Sequence, residues 1–244
     1  MRIAVISDVH ANLYALEAVL AEIDRDPPDE LWCLGDTVGY GPHPNECCDL
    51  VRRRSALTLV GNHDLVALGA SDIGVEDFNP EAGAASVWTS EQLTAETRDF
   101  LSGLGPQAVK DGFELFHGSP SDPVWDYVID PYSAADALAR TEAPLVLVGH
   151  SHVPIAISLE EEALSGGIAT TEFATPLGTK RWLLNPGSVG QPRDGDPRAA
   201  FLRLNPEAGE ARFERIAYPV ARTQAEIRKR GLPDSLAERL AHGM

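Results

Sequence analysis

Five of the seven histidines in this 244-residue chain (His10, His63, His117, His150 and His152) stand just after short apolar runs. Asp8, Asp36 and Asn62 occupy the same kind of position. Apolar runs of four or five residues read as buried strands, and ligand sites in α/β sheets form at the carboxyl ends of strands. Imidazole, carboxylate and one amide, with no thiolate, make a donor set suited to Mn, Fe, Zn and similar borderline-to-hard metals. They argue against Cu(I) or an iron–sulfur centre. There are more donors than one tetrahedral ion uses, and a carboxylate bridging two ions would account for the excess. Alone, His10 or His117 would read as a hydrogen-bonded core histidine and Asn62 as a turn residue. As a set they resist that reading, because uncompensated carboxylates and imidazoles gathered at one place would cost folding energy.

The pattern between these junctions predicts the elements that must position them. A strand over 2–6 ends at Ser7-Asp8-Val9-His10; in extended backbone Asp8 and His10 would face the same way. Asn12 is the expected N-cap of a helix over 13–24, with Leu13, Leu16, Val19, Leu20 and Ile23 as its apolar stripe. Further strands are predicted over 31–34, 57–60, 113–116 and 145–148, ending at Gly35-Asp36, Gly61-Asn62-His63-Asp64, His117 and Gly149-His150-Ser151-His152. Helices are expected over 45–54 and 132–141. Residues 65–104 lack a clear strand and read as a helical insertion beside the site, with helices over 80–93 and 95–104. Beyond 152 the pattern turns mostly antiparallel, with strands over 155–159, 170–173, 181–184, 199–204 and 211–216. Glu160-Glu161-Glu162 and Gly166-Gly167 mark an exposed loop. The charged tail reads as helices over 219–230 and 234–242 packed on the outside. With no internal repeat or linker, the expectation is an α/β protein forming one domain over 1–244.

Composition narrows the function class. The net charge of −17 disfavours nucleic acid polymers and anionic membrane surfaces as partners, although bound cations would still admit small phosphorylated substrates. No apolar run approaches membrane-spanning length, and the N-terminus enters a strand without the pattern of a signal peptide. Cys33, Cys47 and Cys48 lack metal-knuckle spacing and read as reduced core or helix cysteines. A cytoplasmic location is the expectation.

The ordered blocks D-V-H at 8–10, G-D at 35–36, G-N-H-D at 61–64, His117 and G-H-S-H at 149–152 resemble the signature of the calcineurin-like metallophosphoesterases. Asn185-Pro186-Gly187-Ser188-Val189-Gly190 resembles a further block of their small bacterial phosphodiesterase branch. The resemblance implies a four-layer sandwich of two mixed β-sheets flanked by helices, holding two divalent ions (Mn, Fe, Zn, Ni or Mg). Asp8, His10, Asp36 and His152 would hold one ion. Asp36 would bridge to the second, which Asn62, His117 and His150 complete. The activity implied is hydrolysis of a phosphoester by attack of a metal-bound hydroxide. His63 is the implied catalytic residue, touching the phosphate oxygen or leaving group to stabilise charge or deliver a proton.

The surrounding residues leave more open. Asn185, Ser188, Arg193 and Tyr40 are candidate substrate contacts; the alternative for the segment around 187–193 is a structural turn. Asp64 could support the site, cap the next segment or face solvent. His43 reads as a surface-loop histidine. Gly39 and Tyr40 stand where the protein-phosphatase branch carries Asp and Arg, which argues against a phosphoprotein phosphatase and leaves the group orienting His63 unassigned. A phosphodiesterase acting on small diesters is the leading expectation. Hydrolysis of a dinucleoside polyphosphate or a phosphomonoester is the second. A protein–protein scaffold on the same fold is the non-enzymatic one, against which retention of His63 counts. A homo-oligomer is compatible with the chain, but no interface is indicated.

Overall fold

The computed structural model describes residues 1–70, 74–169 and 174–244. Its first half alternates strands and helices. β1 (Ile3–Ile6), α1 (Leu13–Ile23), β2 (Glu30–Cys33), α2 (Pro44–Arg54) and β3 (Leu57–Thr58) come first, then α3 (Asn62–Leu68), α4 (Pro80–Gln92) and α5 (Ala95–Ser102). β4 (Gln107–Lys110), β5 (Phe113–Phe116), α6 (Pro131–Ala139) and β6 (Leu145–Val148) follow. The second half supplies β7 (Pro154–Glu160), β8 (Ala163–Ile168), β9 (Ala174–Pro176), β10 (Arg181–Pro186), β11 (Ala199–Asn205) and β12 (Glu210–Ile216). α7 (Val220–Lys229) and α8 (Asp234–Glu238) close the chain.

The strands form two mixed six-stranded sheets, ordered β3-β2-β1-β11-β12-β9 and β4-β5-β6-β10-β7-β8. β1 lies between parallel β2 and antiparallel β11, and β6 lies between parallel β5 and parallel β10. All four residues of β1 and of β6 are buried, because each strand is covered on both faces. That is why both read as continuous apolar runs rather than alternating ones. Trp32, Leu115, Leu147, Leu184 and Leu202 pack between the sheets. Leu16, Val19 and Leu20 of α1 cover the outer face of the first sheet, while Ala134 and Leu138 of α6 cover the second. Helix, sheet, sheet, helix is the four-layer order that the resemblance implies.

Several expectations are corrected. Residues 163–168 are not a loop: they form β8, an edge strand paired with β7, and Gly166 is needed because a Cβ there would lie 2.0 Å from the Ala156 carbonyl oxygen. β4 was not anticipated. It pairs with β5 across Asp111-Gly112, both with positive φ, as a two-residue hairpin turn requires. Asn62, His63 and Asp64 belong to the first turn of α3 rather than to a loop. The expected strand over 170–173 lies outside the described residues. The tail is not merely an outer layer: Ile227, Leu232, Leu236 and Leu240 form a buried cluster with Tyr40, Ala82 and Ala85.

Candidate metal centre

The carboxyl ends of β1, β2, β5 and β6 face one point, and the loops leaving them are tied together through backbone. Asp8 N–H donates to the Gly35 carbonyl (3.0 Å), His10 N–H to Asp36 (2.9 Å) and Gly149 N–H to His117 (2.9 Å). The expectation that extended backbone aims Asp8 and His10 together is not met. Both have left-handed backbone (φ 53° and 48°), as do Asp36 (51°), His150 (63°) and His152 (60°). The side chains converge because the chain turns sharply at each junction. Asp and His tolerate that conformation better than most non-glycine residues, yet each such residue still carries strain of about 1–3 kcal/mol. Gly61 permits a close approach to Asp36, since a Cβ there would stand 2.1 Å from Asp36 Oδ1.

Among the described residues, three groups each place one donor atom per residue within 4.8 Å of one another: Asp8–His10–His152, His10–Asp36–His63 and Asp36–His117–His150. All of these residues are buried. Asp36 Oδ2 lies 3.7 Å from His10 Nε2 and 3.5 Å from His117 Nε2, so it faces both ends of the cluster. Asp8 Oδ1 lies 3.4 Å from His152 Nε2, and Asn62 Oδ1 lies 3.3 Å from His117 Nε2.

The imidazole tautomers follow from backbone carbonyls, which can only accept. His10, His117 and His152 donate from Nδ1 to the carbonyls of Val38 (3.1 Å), Leu34 (2.9 Å) and Gln191 (2.6 Å), so each turns an Nε2 lone pair inward. His150 donates from Nε2 to the Trp125 carbonyl (3.2 Å) and turns Nδ1 inward. The Nε2 atoms of His10 and His152 then meet at 3.0 Å with both of their Nδ1 protons already committed. Two lone pairs at that distance repel unless a cation lies between them. Asp8 Oδ1 and Asp36 Oδ2 are buried without any hydrogen-bond partner. Burial pushes the Asp8 carboxyl up to about 7, and burial together with the neighbouring Asp64 charge pushes Asp36 well above its ordinary value. Burial also holds His10, His63 and His152 well below theirs and His150 down at about 2, so these rings are neutral donors. Orphaned carboxylate oxygens facing neutral imidazole lone pairs fit a divalent cation and leave little else to satisfy them.

His63 lies at the edge of this cluster and lines a cavity of about 250 Å³. Among the described residues no carboxylate is hydrogen-bonded to its ring. Its ring is held between Tyr40 (centroids 4.3 Å apart) and Phe78 (4.5 Å), against the bare face of Gly39, where a Cβ would lie 2.8 Å from its Nδ1. Packing thus does what a hydrogen-bonding partner does in other sites. Tyr40 and Arg193 line the same cavity, and Arg193 NH2 donates to Gln191 Oε1 (2.9 Å) and lies 3.4 Å from the Tyr40 hydroxyl.

Asn185 and Ser188 do not reach the cavity. Both are fully buried: Asn185 Nδ2 donates to the Gly149 carbonyl (2.7 Å), and Ser188 Oγ donates to the Asp8 carbonyl (2.8 Å). They hold the backbone of the loops that carry Asp8, His150 and His152. Asp64 is buried and accepts from Val38 N–H (2.9 Å) and Gly61 N–H (3.0 Å), so it both caps α3 and fixes the Asp36 loop. His43 is buried edge-on against Tyr14, 5.6 Å between centroids, and is not a surface residue. Trp125, Tyr127 and Arg239 also line the cavity and were not anticipated. Trp125 and Tyr127 follow His117 in a loop without periodicity, and Arg239 lies in the tail assigned to the outside.

Residues 1–208 match the calcineurin-like phosphoesterase superfamily domain. The chain is 42% identical to a metallophosphoesterase from Sphaerobacter thermophilus, whose crystal structure aligns with a TM-score of 0.89 over 100% of this chain and 99% of that one. It is 37% identical over 249 residues to an uncharacterized protein of Methanocaldococcus jannaschii, covering 99% of this chain and 98% of its relative. A shorter stretch of 126 residues, 50% of this chain and 46% of the relative, is 31% identical to the symmetrical bis(5'-nucleosyl)-tetraphosphatase of Haemophilus ducreyi.

Proposed function

The chain belongs to the calcineurin-like phosphoesterase superfamily, and from that premise we propose that it is a dinuclear-metal-dependent phosphodiesterase acting on small phosphodiesters. The carrying observation is the shared, unpartnered Asp36 Oδ2, with imidazole nitrogens of His10 and His117 on either side of it. Asp8, His10, Asp36 and His152 would hold one ion; Asp36, Asn62, His117 and His150 would hold the other. When bound, such a pair supplies Lewis-acid polarisation of the phosphoryl oxygens and acidifies the attacking water.

The remaining work belongs to the chain. His63, fixed by Tyr40, Phe78 and Gly39, presents its ring to the phosphoryl or leaving-group oxygen and stabilises the charge that develops there. Arg193 offers a guanidinium whose Nε has no partner, suited to a phosphate oxygen. It comes from a different part of the chain than the arginine of the protein-phosphatase branch. The turns at Asp8, His10, Asp36, His150 and His152 keep the donors in place before substrate arrives.

Rates on bis(p-nitrophenyl) phosphate, p-nitrophenyl phosphate and diadenosine tetraphosphate test the reading. The diester is expected to be cleaved at least tenfold faster, by kcat/KM, than the monoester. A preference for the monoester would overturn the diesterase assignment. Hydrolysis of dinucleoside polyphosphates is the second reading, favoured by the name of the Haemophilus ducreyi relative; a clear preference for the tetraphosphate would select it.

A further inference from the structure

The cavity beside His63 is lined by more than phosphate chemistry at one centre requires. Arg239 lies in the short 3-10 turn after α8 and lines the cavity together with Tyr40 and Arg193. Each guanidinium carbon stands 5.9 Å from the Tyr40 ring centroid. Arg239 Nε donates to the Met244 main-chain oxygen (2.6 Å). Among the described residues, no carboxylate side chain forms an ion pair with Arg193 or Arg239. Asp77 also lines the cavity, with its Oδ2 taking the Gly74 N–H (3.0 Å). In a chain of net charge −17, Arg193 and Arg239 bring two guanidinium groups to one cavity with no Asp or Glu side chain paired to either among the described residues, Arg239 Nε being taken by the Met244 main-chain oxygen, so the cavity is a local anion site. The contrast is a cavity of about 280 Å³ at the other end of the first sheet, where Arg2 pairs with Asp26 (2.7 Å) and Arg203 donates to the Asp26 and Glu22 carbonyls.

Aromatic rings line the cavity as well. Phe78 and Trp125 lie 5.3 Å apart, and Tyr127 stacks on His150 at 3.9 Å with 43% of its surface exposed. Half-exposed ring faces grouped at a cavity mouth serve as a stacking platform for a flat ring. These parts come from outside the strand junctions that carry the metal-site residues: Phe78 from the segment between α3 and α4, Trp125 and Tyr127 from the loop after His117, and Arg239 from the tail beyond the matched 1–208 domain.

We propose that Arg239, with Arg193 and the Phe78–Trp125–Tyr127 wall, forms a subsite for a substrate that carries a flat ring and a second phosphate beyond the scissile one. The inference rests on the phosphodiesterase reading and names the substrate class for it. A single-phosphate diester leaves one guanidinium unmatched, whereas a nucleotide-like substrate with an additional phosphate engages both.

A matched pair of substrates tests it: the 5'-(p-nitrophenyl) ester of thymidine monophosphate, with and without a 3'-phosphate, assayed with Mn²⁺. The wild-type protein is expected to favour the 3'-phosphorylated diester at least tenfold in kcat/KM, mainly through KM. Arg239→Gln should reduce that advantage to under threefold, and Arg239→Lys should restore part of it. Arg230→Gln, an exposed arginine outside the cavity, should leave it intact. Equal rates on the two diesters with wild-type protein would overturn the subsite and leave the phosphodiesterase reading standing. An advantage that survives Arg239→Gln would also overturn it. Calorimetric titration of thymidine 3',5'-bisphosphate and thymidine 5'-monophosphate separates the two claims. Tighter, Arg239-dependent binding of the bisphosphate without turnover of either diester would support the subsite and remove the enzymatic reading.

Discussion

Among the described residues the His63 ring is held by packing against Tyr40, Phe78 and Gly39, so its role can be tested apart from that of the proposed ion ligands. His63→Ala is expected to lower kcat by about 10²–10⁴-fold, the usual contribution of a positioned proton-transferring or charge-stabilising side chain, with metal content unchanged. An unaltered kcat would remove His63 from the mechanism. A second expectation follows from the carboxylates. In the metal-free protein burial keeps Asp8 protonated up to about pH 7, and Asp36 is raised as well. A cation binds the ionised form, so binding must displace these protons. His10, His150 and His152 are already neutral and have none to give up. Apparent Mn²⁺ affinity should therefore rise with pH through neutrality, by up to about tenfold per unit for each proton released. Competition titrations between pH 5.5 and 8.5 measure this, and a flat profile would contradict it. At this scale the sequence is legible wherever chemistry dictates residue type: the donors at the strand junctions converge. Asn185 and Ser188 show the limit, because a polar side chain in a motif reads the same whether it touches substrate or holds a backbone carbonyl.

The elements position these residues by close backbone approach. Gly61→Ala would set a methyl 2.1 Å from Asp36 Oδ1, so either Asp36 or the start of α3 must shift. Metal content should fall sharply while the far-ultraviolet circular dichroism spectrum stays native; retention of full metal content would show that the loop has slack. The buried parallel strands were legible because apolar runs bounded by glycine and polar residues have few other uses. β4 was missed although Asp111-Gly112 is a strong hairpin signal. β8 was missed because an edge strand with exposed, glycine-rich sequence lacks the apolar signature of a buried one. The left-handed turns at the site were not legible either: Asp and His adopt that conformation only where surrounding structure imposes it.

At the scale of the molecule, two sheets carry the junctions to one edge, and the tail returns to line the cavity through Arg239. The tail's apolar positions, Ile227, Leu232, Leu236 and Leu240, are too widely spaced in sequence to reveal which face they would find. Uncompensated polar groups at the centre imply that cations bound there would contribute to the stability of the folded structure. Each ion at 100-fold excess over its Kd adds about 2.7 kcal/mol, and about 2–4 °C of Tm follows each kcal/mol in a chain of this size. Chelation should therefore lower Tm by several degrees, restored by Mn²⁺; an unchanged Tm would mean that the folded protein does not depend on bound ions.

The most direct test of the dinuclear centre is elemental analysis of metal per chain on the same sample assayed with bis(p-nitrophenyl) phosphate, with and without Mn²⁺, for the wild type and Asp36→Asn. Two ions per wild-type chain with metal-dependent hydrolysis, and loss of occupancy at both positions in Asp36→Asn, is the predicted result. One ion or none in an active wild-type protein, or full retention of two ions after Asp36→Asn, would contradict the account.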